Sequence, residues 1–336
     1  MNKNKFLDDA LEHVRQAEKG MKTSLLKWRP DYEVAADEYS KAATCYRNAK
    51  SFEQSKDCLM KAAECHKQNR SLFHAARSVE QAILVCKELG DMREVQHLAD
   101  RACNMYQTHG SPDAGASVLE KAAKILEANY PEIALQLYQR AADVVLLEDS
   151  SSQATEYINK IGRLMVRLQM YDQAADALRR EIGLQQQLER YNATGRLIVA
   201  LVLVQLARGD VVAAEKAFKE WGNCCEAPEV QTLESLLQAY DDEDAEAAQH
   251  ALNSPFIKHM DIEYAKLART LPLPQGEIAI PKTTSVRENA APSYVSPHSV
   301  TSATIESDGG AIASGSSGDN AQQPASDNED EEGGLC

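Results

Sequence analysis

Eight cysteines, eight histidines and 51 carboxylates are the side chains of this 336-residue chain that could act as nucleophiles, metal ligands or acid–base groups. Their spacing assembles none of those chemistries. Cys45, Cys58, Cys65, Cys86, Cys103, Cys224, Cys225 and Cys336 include no CxxC pair and no Cys/His set at zinc spacing. His13, His66, His74, His97, His109, His250, His259 and His298 are scattered along the chain. The phosphate loop GxxxxGK, the dinucleotide motif GxGxxG, the metalloprotease HExxH and the nucleophile elbow GxSxG are all missing. Neither catalysis nor a cofactor nor a metal is expected, and the carboxylates read as the solvated faces of amphipathic helices. Cys336 ends the chain, so the prenylation rule, which needs three residues after the cysteine, does not apply to it.

The residues left for binding fall in three places. Lys22, Leu25, Leu26, Lys27, Trp28 and Arg29 precede Pro30, which ends helical structure. Two aliphatics, an indole and flanking cations suit shallow insertion at an anionic membrane interface; the alternative is that Leu25, Leu26 and Trp28 pack on the next hairpin. Lys160, Arg163 and Arg167, followed by Arg179, Arg180 and Arg190, concentrate positive charge in an otherwise acidic chain. They suit a face that receives an acidic helical partner, or else form ordinary pairs on a solvated helix. Glu329, Asp330, Glu331 and Glu332 with the penultimate Leu335 make an acidic end carrying one apolar anchor, which serves as a solvating tail or as a tethered ligand.

A net charge of −15 and a pI near 5.1 argue against nucleic acid as a partner. The first residues run into Asp8, Asp9 and Glu12 rather than an apolar segment, so no secretory signal is expected. No apolar stretch reaches the roughly 20 residues a membrane span requires. The longest, Leu197 to Val204, reads as a buried helix. A reduced, cytoplasmic protein with packed thiols is the expectation.

These residues must be positioned by something, and the chain is periodic. Tyr32, Phe52, Leu72, Met92 and Pro112 stand 20 apart, Pro131 follows after a one-residue slip, and Ser151, Tyr171, Tyr191 and Val211 resume the spacing. Three places after each start the residue is nearly always small, as at Ala35, Ala75, Gly115 and Ala174. Seven places on it is large and apolar, as at Tyr39, Leu59, Tyr138 and Leu178. Ten places on stand Ala42, Ala62, Ala82, Ala102, Ala122 and Ala141, after which the pattern lapses to Ile161, Glu181, Leu201 and Trp221. Offsets 0, 3, 7 and 10 share one helix face, so each unit is a helix of about 16 residues with its small side chains admitting a close neighbour.

Punctuation marks the same boundaries. Gly90-Asp91, Gly110-Ser111 and Gly209-Asp210 pair a helix-ending glycine with an N-cap residue. Pro112 and Pro131 suit a first helical position, and Ser51-x-x-Gln54 and Ser150-x-x-Gln153 read as capping boxes. Two units form a hairpin of about 40 residues, longer than a standard tetratricopeptide unit. The expected fold is all-α: a right-handed solenoid of tetratricopeptide-like hairpins, a twisted sheet of antiparallel helices. It occupies 1–228, with an opening helix at about Lys5 to Lys22. Leu233, Leu236, Leu237, Tyr240, Tyr264, Leu267 and Leu271 predict a capping helical bundle over 229–272. Residues 273–336 hold ten acidic and two basic side chains and a single aromatic, Tyr294, and are expected to form a disordered acidic tail.

Several stretches together resemble the soluble NSF attachment proteins, the gamma branch in particular. They include Leu26-Lys27-Trp28-Arg29-Pro30-Asp31-Tyr32, Phe52-Glu53-Gln54-Ser55-Lys56-Asp57, Leu137-Tyr138-Gln139-Arg140-Ala141-Ala142 and Asp261-Ile262-Glu263-Tyr264-Ala265-Lys266-Leu267. The final Gly333-Gly334-Leu335-Cys336 fits as well. The resemblance implies a non-enzymatic adaptor of vesicle fusion and membrane trafficking. Such an adaptor binds an assembled, syntaxin-containing SNARE four-helix bundle and recruits the hexameric ATPase NSF to take it apart. It further implies that Leu25, Leu26 and Trp28 touch the membrane peripherally, that Lys160, Arg163 and Arg167 meet the bundle, and that Glu329–Glu332 and Leu335 engage NSF. The other reading is a generic tetratricopeptide-like scaffold for a peptide.

Overall fold

The computed structural model describes residues 3–23, 28–148 and 150–274. Among them are fifteen α-helices, one 3-10 turn at Gly222–Cys224 and no strand. The opening helix α1 spans Lys3–Met21, close to its expected bounds. The array follows as α2 (Tyr32–Asn48), α3 (Phe52–Gln68), α4 (Leu72–Leu89), α5 (Met92–His109), α6 (Pro112–Leu126), α7 (Pro131–Leu146), α8 (Ser151–Arg167), α9 (Tyr171–Gln187), α10 (Tyr191–Ala207) and α11 (Val211–Trp221). All ten starts read from the periodicity open a helix at that residue. The terminal helices are α12 (Ala227–Asp241), α13 (Ala245–Leu252), α14 (Pro255–Lys258) and α15 (Ile262–Thr270).

Local chemistry explains these boundaries. Asp31, Asp91, Asp210 and Asp244 cap their helices by accepting from the backbone N–H of Val34, Glu94, Ala213 and Ala247. Ser51 and Ser150 also stand at N-caps, but their hydroxyls make no cap bond, so neither expected capping box forms. The Gln153 amide donates instead to Tyr157 Oη at 3.3 Å. Gly90, Gly110 and Gly209 take left-handed φ of 77°, 86° and 77°. In register with them, Lys50, Arg70, Gln169 and Glu189 adopt φ of 58°, 58°, 60° and 56° without being glycine. The one-residue slip also has a cause. Residues 127–130, which join α6 to α7, contain no left-handed residue; Tyr130 instead donates back to the Leu126 carbonyl at 2.7 Å.

Turns of two to four residues fold most successive helices of the array antiparallel, and each packs mainly on the next. The interface is built from alanine: Ala35, Ala42, Ala62, Ala76, Ala82, Ala102, Ala122 and Ala141 are fully buried. Gly115 marks the tightest approach, since a Cβ there would lie 3.1 Å from Cys103 Sγ. Cys58, Cys65, Cys86 and Cys103 are buried in the same seams, and burial pushes Cys58 and Cys86 up to about 11, which keeps them as thiols. Ile198–Val204, the apolar stretch of α10, lies wholly inside. Among the described residues no helix is long and apolar enough to cross a membrane.

A second set of contacts joins helices two apart, one hairpin further along. Lys121 reaches Glu80 at 2.6 Å, Arg140 reaches Asp100, Lys160 reaches Glu120, Arg167 lies 3.8 Å from Glu127, and Arg101 lies 4.0 Å from Glu64. The sequence separations run from 37 to 41, so the repeat that stacks alanines also aligns charges. The terminal helices do more than cover the last repeat. Through α12 they pack on α10 and α11, and through α15 they return to α8 and α10. The seven residues read as their core are all buried, and Tyr240 Oη donates to the Pro272 carbonyl at 2.8 Å.

Candidate functional site

The segment between α1 and α2 is pinned at its base. The Asp31 N–H donates to the Gly20 carbonyl at 3.0 Å, and a Cβ on the buried Gly20 would sit 3.6 Å from Ala35. From that base Trp28 stands out into solvent, 88% exposed, rather than against the first hairpin. Leu25 and Leu26 lie outside the described residues, as do Glu329, Asp330, Glu331, Glu332 and Leu335.

The three predicted cations share α8, and the structure gives each a carboxylate. Lys160 donates to Glu120 on α6, and its ammonium lies 5.5 Å and 5.7 Å from the ring centroids of Tyr138 and Tyr157. Burial would raise the Glu120 carboxyl, but hydrogen bonds from Lys124 and Lys160 outweigh it and hold the group below its usual range. Arg163 points the other way. Its Nε donates to Glu263 at 2.8 Å, and its Nη1 lies 3.7 Å from Asp261, which fastens α15 to the array. Arg167 donates to the Glu127 carbonyl, where α6 ends, and so satisfies one of the acceptors a helix C-terminus leaves open. These are not free charges awaiting a partner; all three remain about one-third exposed while tying the array together.

Beside them lies a feature the sequence reading passed over. An open notch of about 380 Å³ separates α8 from α10, with Glu181 and Gln185 of α9 lining it from below and Asp261 at one side. Glu181 is 3% exposed; its Oε1 accepts from Asn159 Nδ2 at 3.2 Å, while its Oε2 has no partner. Burial pushes this carboxyl up to about 7, Asp261 adding to the shift and Asn159 and Arg163 opposing it. Gln185 Oε1 is likewise unpartnered, and so is the hydroxyl of Tyr264, buried where α15 meets α8 opposite Gly162. A signal for the notch existed. Glu181 holds the offset-ten position that is alanine in the first six repeats, so a carboxylate stands in core register.

Comparison with known proteins follows the same outline. A family model described as soluble NSF attachment protein matches residues 8–254. The gamma-soluble NSF attachment protein of Dictyostelium discoideum is 23% identical over 261 residues, which cover 77% of this chain and 81% of that protein. Its namesake from Arabidopsis thaliana is 24% identical over 262 residues, covering 77% and 90%. Among solved structures, BtubC from P. vanneervenii superposes with a TM-score of 0.36 at 15% identity, over 67% of this chain and 91% of that one.

Proposed function

Since the chain belongs to the soluble NSF attachment protein family, whose members are non-enzymatic adaptors between SNARE complexes and NSF, we propose that it grips a SNARE bundle and hands it to the ATPase. The observation that carries this reading is the family match across residues 8–254, nearly the whole helical body. In this reading the cation-bearing face of α8 and its surroundings meet the bundle, helped by Lys160, Arg163 and Arg167 at their exposed edges. Because these cations are already paired, their contribution is steering and shape more than uncompensated attraction. Trp28, with Leu25 and Leu26, enters the headgroup region of the membrane that carries the bundle, and the protein stays in the cytoplasm, peripheral to that membrane. Glu329–Glu332 and Leu335, more than fifty residues beyond the helical body in the sequence, contact the NSF hexamer.

A pull-down tests the reading. Immobilised chain with preassembled SNARE complex should retain NSF in a non-hydrolysing nucleotide state, and Leu335→Ala should release NSF while keeping the bundle. Failure to retain NSF in every nucleotide state would refute the proposal.

A further inference from the structure

We propose that the edge of the array carrying the α1–α2, α3–α4 and α5–α6 connections docks on an anionic lipid surface, with Lys67 and Arg70 of the α3–α4 turn as a second point of contact beside Trp28. The orientation rests on the membrane contact proposed above for Trp28. The edge itself rests on geometry and charge.

Side-chain contacts bring the three connections together. Met21 Sδ, at the end of α1, lies 3.7 Å from Cys65 Sγ near the end of α3. Phe73, in the first turn of α4, has its ring centroid 5.4 Å from that of His109, the last residue of α5. The α3–α4 turn therefore stands between the base of the Trp28 segment and the start of α6.

Charge separates this edge from the opposite one. The chain carries 51 carboxylates in 336 residues, yet residues 19–30, 65–79 and 101–112, which contain the three connections, hold none. Those segments hold four, three and one lysines or arginines. At the opposite edge the α4–α5 turn is flanked by Glu88, Asp91 and Glu94, and the α6–α7 turn by Glu127 and Glu132. Of the carboxylates bordering the basic segments, Asp31 caps α2 and Glu64 lies 4.0 Å from Arg101. Glu18, Glu33 and Asp113 are fewer than the cations they border. Lys67 and Arg70 are both exposed, and neither has a carboxylate partner among the described residues. The Arg70 N–H donates to the Lys67 carbonyl at 2.9 Å, which holds the two at one tip of the array.

These cations do not converge on one point, as a single acidic side chain would require. They are spread along an edge beside a fully projecting indole. A broad anionic surface with an apolar interior meets both features at once, the cations at its phosphates and the ring among its headgroups.

Flotation of the full chain with phosphatidylcholine vesicles, with and without phosphatidylserine, tests the edge. The wild type should bind the anionic vesicles, less so as salt rises. Lys67→Glu with Arg70→Glu should weaken that binding by about tenfold or more. The turn accepts a glutamate, since Glu189 holds the equivalent left-handed position in the same array, and circular dichroism checks the fold. Lys50→Glu, at the matching position of the α2–α3 turn on the opposite edge, should bind like the wild type. Wild-type chain that ignores phosphatidylserine, a double variant that binds normally, or an equal loss in Lys50→Glu would overturn the proposal. Unchanged vesicle binding with lower affinity for detergent-soluble SNARE bundle would give this edge to the bundle and overturn it too. Trp28→Ser keeps the two readings apart. If it alone loses binding, the indole contact stands and the edge falls; if only the double variant loses binding, the edge stands and the indole contact falls.

Discussion

At the scale of single residues, Glu181 has the clearest consequence. Its carboxyl is held near 7 in the folded chain, against an ordinary value of 4.5. The native state therefore keeps a proton that the unfolded chain releases, and stability falls as pH rises through that window before levelling off above it. Glu181→Gln cannot ionise. Chemical denaturation of both proteins should show the variant gaining on the wild type by about 2–3 kcal/mol between about pH 4.5 and about pH 8. A constant difference across that range would mean the carboxylate is solvated. Glu181 was legible only as an irregularity, a charge where alanine was due. Its donor Asn159 lies on α8, and α15 packs onto α8 from far along the chain, an arrangement that no local pattern announces.

At the scale of the element, helix starts were legible to the residue because apolar period, proline and N-cap chemistry all marked them. The turns were half legible. Glycine announces a left-handed residue at Gly90, Gly110 and Gly209, but Lys50, Arg70, Gln169 and Glu189 carry no such sign; only the 20-residue register reveals them. Occupying that conformation with a side chain costs roughly 1–2 kcal/mol, partly repaid because glycine loses more freedom on folding. Two substitutions at equivalent places should then act oppositely. Gly110→Ala, where a Cβ meets nothing within 4 Å, should lower stability by about 1 kcal/mol. The exposed Gln169→Gly should raise it by about 0.5–1 kcal/mol. Denaturant titration of both variants decides the point, and effects of the same sign would show that the turn conformation is not what distinguishes them. The unformed capping boxes teach the converse: Ser51 and Ser150 sit where a cap belongs, yet helix position was fixed by packing without their hydroxyls.

At the scale of the whole molecule, the helices of the array are held in register by buried alanine between neighbours and by charge between helices two apart. The run from Lys160 to Arg167 was visible in the sequence as a run. Its partners, about forty residues away on α6 and a hundred away on α15, become visible only when the hairpins stack. That is why a basic patch read from sequence proved to be largely compensated. Trp28 follows the opposite course: its exposure on a pinned base is what a membrane contact needs. Replacing Leu25, Leu26 and Trp28 with Ser should leave helicity by circular dichroism unchanged. The variant should lose SNARE-disassembly activity on liposomes while keeping it on detergent-soluble complexes, and an unfolded variant would show that these residues pack instead.

As proposed above, this helical body couples a SNARE bundle to a motor and performs no chemistry itself. Reconstituted disassembly measures that directly, with a fluorescence-labelled SNARE complex, NSF, ATP and increasing amounts of the chain. The bundle should come apart only when chain, NSF and hydrolysable ATP are all present. A labelled bundle that stays intact in that complete mixture, at saturating chain, would contradict it.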